Sequence, residues 1–369
     1  MSQPDDLLAA LADIDPTSAL ALAQARTQRD AATRHTQGSY EVLFSQHDDD
    51  FPLPERFTLA AQVAAWHGEV ALQAHYQQQV QDVQHSAREE AGRAFAERLS
   101  FHPVEATPQH IANLQSAGWT ARGIVTLAQL IAFVSFQSRL LAGFRLLKGD
   151  DLNTQQHAVA GKWHSAPLTL SGKTALTAFT QQELGWEPWL AAKPLEEFDN
   201  EEKATLARFG HSDSDYFRLL GRNLPLLEQR TLTDKGIFYT AGGLPRAERE
   251  LAATVVSKVN GCIYCASVHA RKASQLAKQE AAVQKLLNVV PGAELSHGQS
   301  PRWQALIDFS AALSVTPASA SQAQLQALRA HGLDTLQLLD LVQSTAFFAW
   351  ANRLMLTLGE PFLPDDAKG

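Results

Sequence analysis

Apolar residues recur along the chain at intervals of three and four, as in L-A-A-Q-V-A-A-W (59–66), A-N-L-Q-S-A-G (112–118) and L-D-T-L-Q-L-L-D-L-V (333–342). That is the period of an amphipathic helix, and Ala, Leu and Gln are strong helix formers. One β-compatible run, G-I-F-Y-T (236–240), is too short and isolated to build a sheet. The expected fold class is all-α. The most apolar stretch, Gly123 to Leu147, is interrupted by Gln129, Gln137, Arg139 and Arg145. Those side chains make it too polar for a span of ~20 apolar residues, so it reads as a buried helix.

The pattern also repeats. Residues 95–141 set against 309–355, a constant shift of 214 without a gap, give 13 identities in 47 positions. Average composition would give about three. Phe95/Phe309, Pro103/Pro317, Gly118/Gly332, Gln129/Gln343 and Arg139/Arg353 are among them. The chain therefore reads as two copies of one helical unit, a first domain over 1–165 and a second over 166–369. Polar, aperiodic residues 148–167 serve as the linker. Upstream, L-A-A-Q-V-A-A-W-H-G (59–68) resembles L-A-A-T-V-V-S-K-V-N-G (251–261) with one residue of slack. If Gly68 answers to Gly261, the first copy carries Glu69, Leu72 and Tyr76 where the second carries Cys262, Cys265 and His269. Features common to both copies are expected to be scaffold, and features confined to the second are the candidates for function.

Length and composition leave room for this. A chain of 369 residues can bury one large core or two smaller ones, and 45% hydrophobic and 19% charged residues are ordinary globular values. A net charge of −8 and the lack of any Lys/Arg-rich run give no footprint for nucleic acid or an acidic membrane surface. The start, M-S-Q-P-D-D-L-L-A-A, is acidic where a secretory signal would be basic. The expected location is cytoplasmic.

Both cysteines of the chain fall within N-G-C-I-Y-C-A-S-V-H (260–269). They are too close in sequence to close a stabilising loop, and in a reducing compartment a C-x-x-C pair is more often catalytic or metal-binding than structural. With Asn260 as N-cap, a helix starting here places Cys262, Cys265 and His269 at i, i+3 and i+7, on one face. A helix N-terminus favours negative charge and hence a thiolate. His269, four residues after Cys265, is placed to act as its base. These residues alone leave open which sulfur attacks, since Cys262 is nearer the helix end and Cys265 nearer the imidazole. A second helix is expected over L-P-R-A-E-R-E-L-A-A-T-V-V, with Pro245 in its first turn. In one unbroken helix Glu250 would lie about 120° off the cysteine face, so it must reach the site across a break at Asn260-Gly261, and Glu248 is equally available. A zinc site finds only three ligands on one helix and no second pair. The histidines His67, His75 and His331 have no ligand spacing. The aromatic runs W-E-P-W (186–189) and D-Y-F-R-L-L (215–220) suit either a pocket entrance or the docking of one copy on the other, with docking favoured.

The spacing Glu250-x11-Cys262-x2-Cys265-x3-His269 resembles the signature of the alkylhydroperoxidase D-like (AhpD-like) members of the carboxymuconolactone decarboxylase superfamily. G-C-I-Y-C-A-S-V-H-A-R and F-F-A-W-A-N-R-L resemble its peroxidase-related branch, and the whole chain resembles two-domain members with a cysteine-free copy fused ahead of an active-looking one. The resemblance implies an all-helical, oligomeric fold and a peroxiredoxin-type hydroperoxide reductase without metal, flavin or haem. It implies that Cys265 attacks the hydroperoxide, that Cys262 supplies a proton and then resolves the sulfenic acid to a disulfide, and that Glu250 and His269 relay protons. The implied partners are a small hydroperoxide, a thiol or lipoyl-type reductant and further copies of the chain. Where the best-studied peroxidases of the family carry a second histidine between the cysteines, this chain has Tyr264, which is no base near neutral pH with an ordinary pKa of about 10. The competing readings are a redox sensor or assembly module and, less favoured, a lactone decarboxylase.

Overall fold

The structure, a computed structural model, describes residues 5–45, 47–80 and 86–365. The first copy comprises α1 (Leu7–Leu11), α2 (Leu20–Gln28), α3 (Asp30–Ser45), α4 (Leu53–Trp66), α5 (Val70–Gln77), α6 (Ala87–Phe101), α7 (Pro108–Ser116) and α8 (Ala121–Lys148). The second comprises α9 (Asn200–Phe209), α10 (Asp215–Leu220), α11 (Leu224–Phe238), α12 (Arg246–Asn260), α13 (Ile263–Ala277), α14 (Glu280–Leu287), α15 (Pro301–Ser314), α16 (Gln322–Ala330) and α17 (Thr335–Thr357). The fold is all-α. Its one small sheet among the described residues pairs β1 (Gly185–Pro188) antiparallel with β2 (Gly359–Phe362). The run 236–240 is not a strand, because Gly236 to Phe238 form the last turn of α11.

The duplication is visible in where helices begin. Helices α6, α7 and α8 start at 87, 108 and 121, and α15, α16 and α17 at 301, 322 and 335, each 214 positions on. Likewise α4 and α5 start at 53 and 70, and α12 and α13 at 246 and 263, each 193 positions on. Gly68 and Gly261, also 193 apart, both adopt left-handed backbone, with φ of 72° and 75°. Two wholly buried arginines at this offset make the same bonds. Arg56 donates to the carbonyls of Phe51 (2.6 Å) and Leu43 (2.8 Å), and Arg249 to those of Leu244 (2.8 Å) and Ile237 (2.8 Å). These guanidiniums tie each copy's site helix, α4 or α12, to the end of α3 or α11.

The copies share one continuous core, with α8 and α17 packed together at its centre. The helices meet closely where α8 has no side chain, since a Cβ on Gly143 would lie 2.3 Å from Val342 Cγ1. Trp350 of α17 donates from Nε1 to Gln129 Oε1 of α8 at 2.7 Å. The shared arginines cross between copies and satisfy helix-end carbonyls that have no intrahelical partner. Arg139 donates to the Ser314 carbonyl (2.9 Å) and Arg353 to the Ser100 carbonyl (3.0 Å), an exchange consistent with an approximate two-fold relation. By length and composition α8 is apolar enough to pass for a membrane span, so its interrupting polar residues are not what sets it apart. Its burial does, for every residue from Gly123 to Phe144 is enclosed by protein.

Residues 149–199 hold β1 and one 3-10 turn but no α-helix, and residue 165 falls within this stretch. Part of it is pinned to the end of α12, where the Gly161 amide donates to the Lys258 carbonyl at 2.8 Å.

Candidate functional site

Helix α12 runs to Asn260 and α13 begins at Ile263. Asn260 therefore closes the first helix instead of capping the second, and Cys262 is the N-cap residue of α13. Pro245 likewise is the N-cap of α12 and not part of its first turn. Gly261 makes the turn because only a residue without Cβ fits there: its φ is 75°, and a Cβ would lie 1.9 Å from the Lys162 carbonyl oxygen. The break brings the start of α13 beside α12. Cys265 then stands third in α13, within the first turn where amide N–H groups lack intrahelical partners.

The structure brings Glu250 and His269 together and takes Glu248 elsewhere. Glu250, wholly buried, accepts from His269 Nδ1 at 2.5 Å through Oε2 and from Arg246 Nε at 3.1 Å through Oε1. Glu248 is held by Arg302, whose Nε and Nη2 donate to its two oxygens at 2.7 Å each. Phe348 packs edge-on against the imidazole at 4.3 Å between ring centres, so the ring of His269 is held from two sides. Burial pushes the Glu250 pKa up. The bond and charge of His269, then the charges of Lys272 and Arg246, outweigh it and hold the carboxyl below its usual range.

Cys265 and His269 open onto a cavity of about 380 Å³ walled by α10, α11, α13 and α17. Tyr216, Phe217, Phe238 and Phe347 form apolar walls, and Arg230, Asp234 and Lys235 of α11 join Lys272 and Glu250 as the charged lining. Burial raises the Asp234 pKa against the opposing pull of Arg230, His269 and Lys272. Cys262 does not line this cavity and is only 1% exposed. Its burial, reinforced by the adjoining Cys265 thiol, pushes its pKa well above the usual thiol range. Tyr264 stands in the cavity wall. Tyr216 and Phe217 of D-Y-F-R-L-L also line it, which corrects the expectation that this run mainly docks the copies. Trp186 donates from Nε1 to the Met355 carbonyl at 3.1 Å, a bond within the second copy and not between copies.

The first copy shows the same place without the chemistry. Phe57 stands at the position of Glu250, Leu72 at that of Cys265 and Tyr76 at that of His269, while a shift of 194 sets Tyr40 against Asp234. The rings of Tyr76 and Phe44 lie 4.7 Å apart and those of Tyr76 and Tyr40 6.4 Å. Tyr76 Oη donates to Gln137 Oε1 at 2.6 Å. Tilted aromatic rings thus stand where the second copy has Asp234 and His269. Asp234, Arg230 and Lys272 were not singled out from sequence. Extending the copy-to-copy comparison through α3 and α11 would have flagged the first two, since Tyr40 and Thr36 replace them.

The second copy is thus an all-helical unit with a dithiol, a buried carboxylate and an imidazole grouped at one helix break. Residues 225–294, from α11 to just beyond α14, match the carboxymuconolactone decarboxylase family. Among curated proteins none matches the chain. The crystal structure of an uncharacterised peroxidase-related protein from Silicibacter sp. TM1040 is similar at 22% identity, over 50% of this chain and 96% of that one, with a TM-score of 0.39, too low to bear on function.

Proposed function

We propose that the protein is a thiol-dependent hydroperoxide reductase of the peroxiredoxin type that cycles Cys262 and Cys265 between dithiol and disulfide. One observation carries this reading: Cys265, His269 and Glu250 line one cavity, and the first copy lacks all three. In the first step the Cys265 thiolate attacks a peroxide oxygen, forming an S–O bond as the O–O bond breaks. The alkoxide leaves as alcohol with a proton from the site. His269 suits that transfer, because its Nδ1–H is engaged by Glu250 and its Nε2 is the nitrogen left to exchange a proton in the cavity. Cys262, whose burial favours the protonated thiol, then gives up its proton and attacks the sulfenic sulfur, and hydroxide leaves as water. An external thiol or lipoyl-type dithiol returns the pair to the reduced state, and no resident cofactor is required. The chemistry suits a reducing compartment such as the cytoplasm, with the cysteine-free copy serving as scaffold and interface in a homo-oligomer.

The test mixes reduced protein with hydrogen peroxide and organic hydroperoxides, titrates thiols, and traps sulfenic acid in Cys262→Ser. Label on Cys265, with loss of peroxide consumption in Cys265→Ser, is expected. A constant thiol titre with neither cysteine labelled overturns the reading.

A further inference from the structure

A second cavity reaches the other thiol. It measures about 270 Å³ and is lined by Cys262 but not Cys265, the reverse of the first cavity. Tyr264 and Met355 line both and form the partition between them. Its walls come from parts the first cavity does not use: Ala106 to Pro108 of the first copy, the non-helical stretch from His164 to Leu176, and the strand β2. The lining has no Lys or Arg and a single carboxylate, Glu360. Leu168 and Leu170 stand on it 58% and 64% exposed, unusual for large apolar side chains and suited to meeting an apolar visitor. His164, also in the lining, has an enclosed Nε2 with no protein partner among the described residues.

We propose that the second cavity is the port of the reductant, through which an uncharged dithiol on an apolar arm attacks Cys262 of the oxidised pair. This rests on the pair cycling through a disulfide, not on a hydroperoxide being the oxidant. Thiol–disulfide exchange runs in line, so the incoming thiolate approaches the attacked sulfur from the side away from its partner. Cys262 lines this cavity and Cys265 does not, so a thiolate held in it meets Cys262 and not Cys265. A new S–S bond forms between reductant and Cys262 while the Cys262–Cys265 bond breaks, and Cys265 leaves as thiolate. The second thiol of the reductant then displaces Cys262, which takes up a proton, and the reductant departs as a cyclic disulfide. Two electrons pass from dithiol to protein. Oxidant and reductant thus use separate ports, and an anionic thiol such as glutathione meets Glu360 with no cation in the lining to offset it.

The experiment separates the half-reactions. Protein oxidised with diamide is reduced with dihydrolipoamide or with glutathione, and reduced protein is separately oxidised with hydrogen peroxide, in wild type, Ala175→Trp and Leu170→Trp. Ala175 lines the second cavity only, and Leu170 is exposed enough that a larger side chain does not threaten the fold. Filling the port is expected to slow reduction by dihydrolipoamide by about tenfold or more while peroxide-driven thiol loss stays within about twofold, with glutathione the slower reductant throughout. Unchanged reduction in both variants overturns the proposal, as does equal slowing of both half-reactions in variants with native circular dichroism. If Ala175→Trp does not fold, Leu170→Trp decides. If hydrogen peroxide oxidises no thiol in the wild type, the peroxidase reading falls while the diamide-loaded protein still tests the port.

Discussion

Glu250 and His269 are joined at 2.5 Å across a helix break, while Glu248, two residues before Glu250, is tied to Arg302. Two residues turn a helix by about 200°, so the two carboxylates cannot serve one site. The Glu248–Arg302 bridge has a counterpart in the first copy, Glu55 with Arg88 at 3.3 Å, whereas Glu250 is matched there by Phe57. Glu248 is therefore scaffold and Glu250 belongs to the site. Glu250→Gln is expected to slow peroxide-driven thiol oxidation by about 10²- to 10⁴-fold, the usual contribution of a positioned proton relay. Glu248→Gln should leave that rate unchanged and lower stability by at most about 1 kcal/mol, since Arg302 is one-third exposed. Stopped-flow thiol titration and urea unfolding of both variants check this, and a rate loss in Glu248→Gln equal to that in Glu250→Gln would sink the assignment.

The depressed Glu250 pKa gives a pH dependence with a definite sign. A carboxyl whose folded pKa lies below its unfolded value, about 4.3, adds stability above that value. The contribution disappears as pH falls through the folded value. The stability difference between wild type and Glu250→Gln should be constant near neutrality and narrow progressively below about pH 4. Urea unfolding at several pH values measures the difference, and one that does not change with pH rules out the coupling.

Much of this architecture was legible because its signals are local or repeated. The spacing of apolar residues set the helices, and the 214-residue shift that aligned Phe95 with Phe309 also aligns the starts of three helix pairs. The grouping of Cys262, Cys265 and His269 followed from spacing within one helix. The register of the break did not, because Asn260 and Gly261 suit a helix start as well as a helix end. What decides is the Lys162 carbonyl pressed against Gly261 from almost a hundred positions away. Asp234 and Arg230 sit on α11, away from the C-x-x-C helix, and only the comparison of α3 with α11, where Tyr40 and Thr36 replace them, marks them in the sequence.

The first copy offers a test of what the site requires beyond thiols. Glu69→Cys with Leu72→Cys, made in a Cys262→Ser, Cys265→Ser background, installs C-x-x-C on the sister helix. Those thiols should consume no hydroperoxide above the rate of an ordinary free thiol. Phe57 and Tyr76 stand where Glu250 and His269 would be, and the rings of Tyr40, Phe44 and Tyr76 pack against one another there. Peroxide consumption matching the wild type would show that a C-x-x-C at a helix start suffices and that the carboxylate and imidazole are dispensable.

The contact between Gly143 and Val342 tests whether the central helix pair supports the site. In an ordinary helix interior Gly→Ala gains up to about 1 kcal/mol. Here the new Cβ would fall 2.3 Å from Val342 Cγ1, and overpacking of that kind costs about 1–3 kcal/mol. Gly143→Ala should therefore destabilise the protein despite the better helix former. Val342→Ala should destabilise it too, by loss of packing, while the double variant should be more stable than the sum of the two losses predicts, because each change removes the other's clash or void. Helix α17 also carries Phe348, which holds His269, and Met355, which lines the cavity. Displacing α17 in Gly143→Ala should slow thiol oxidation, and the double variant should recover it. Urea unfolding and thiol titration of the three variants read both effects, and strictly additive stabilities would mean that the two helices do not meet at this point.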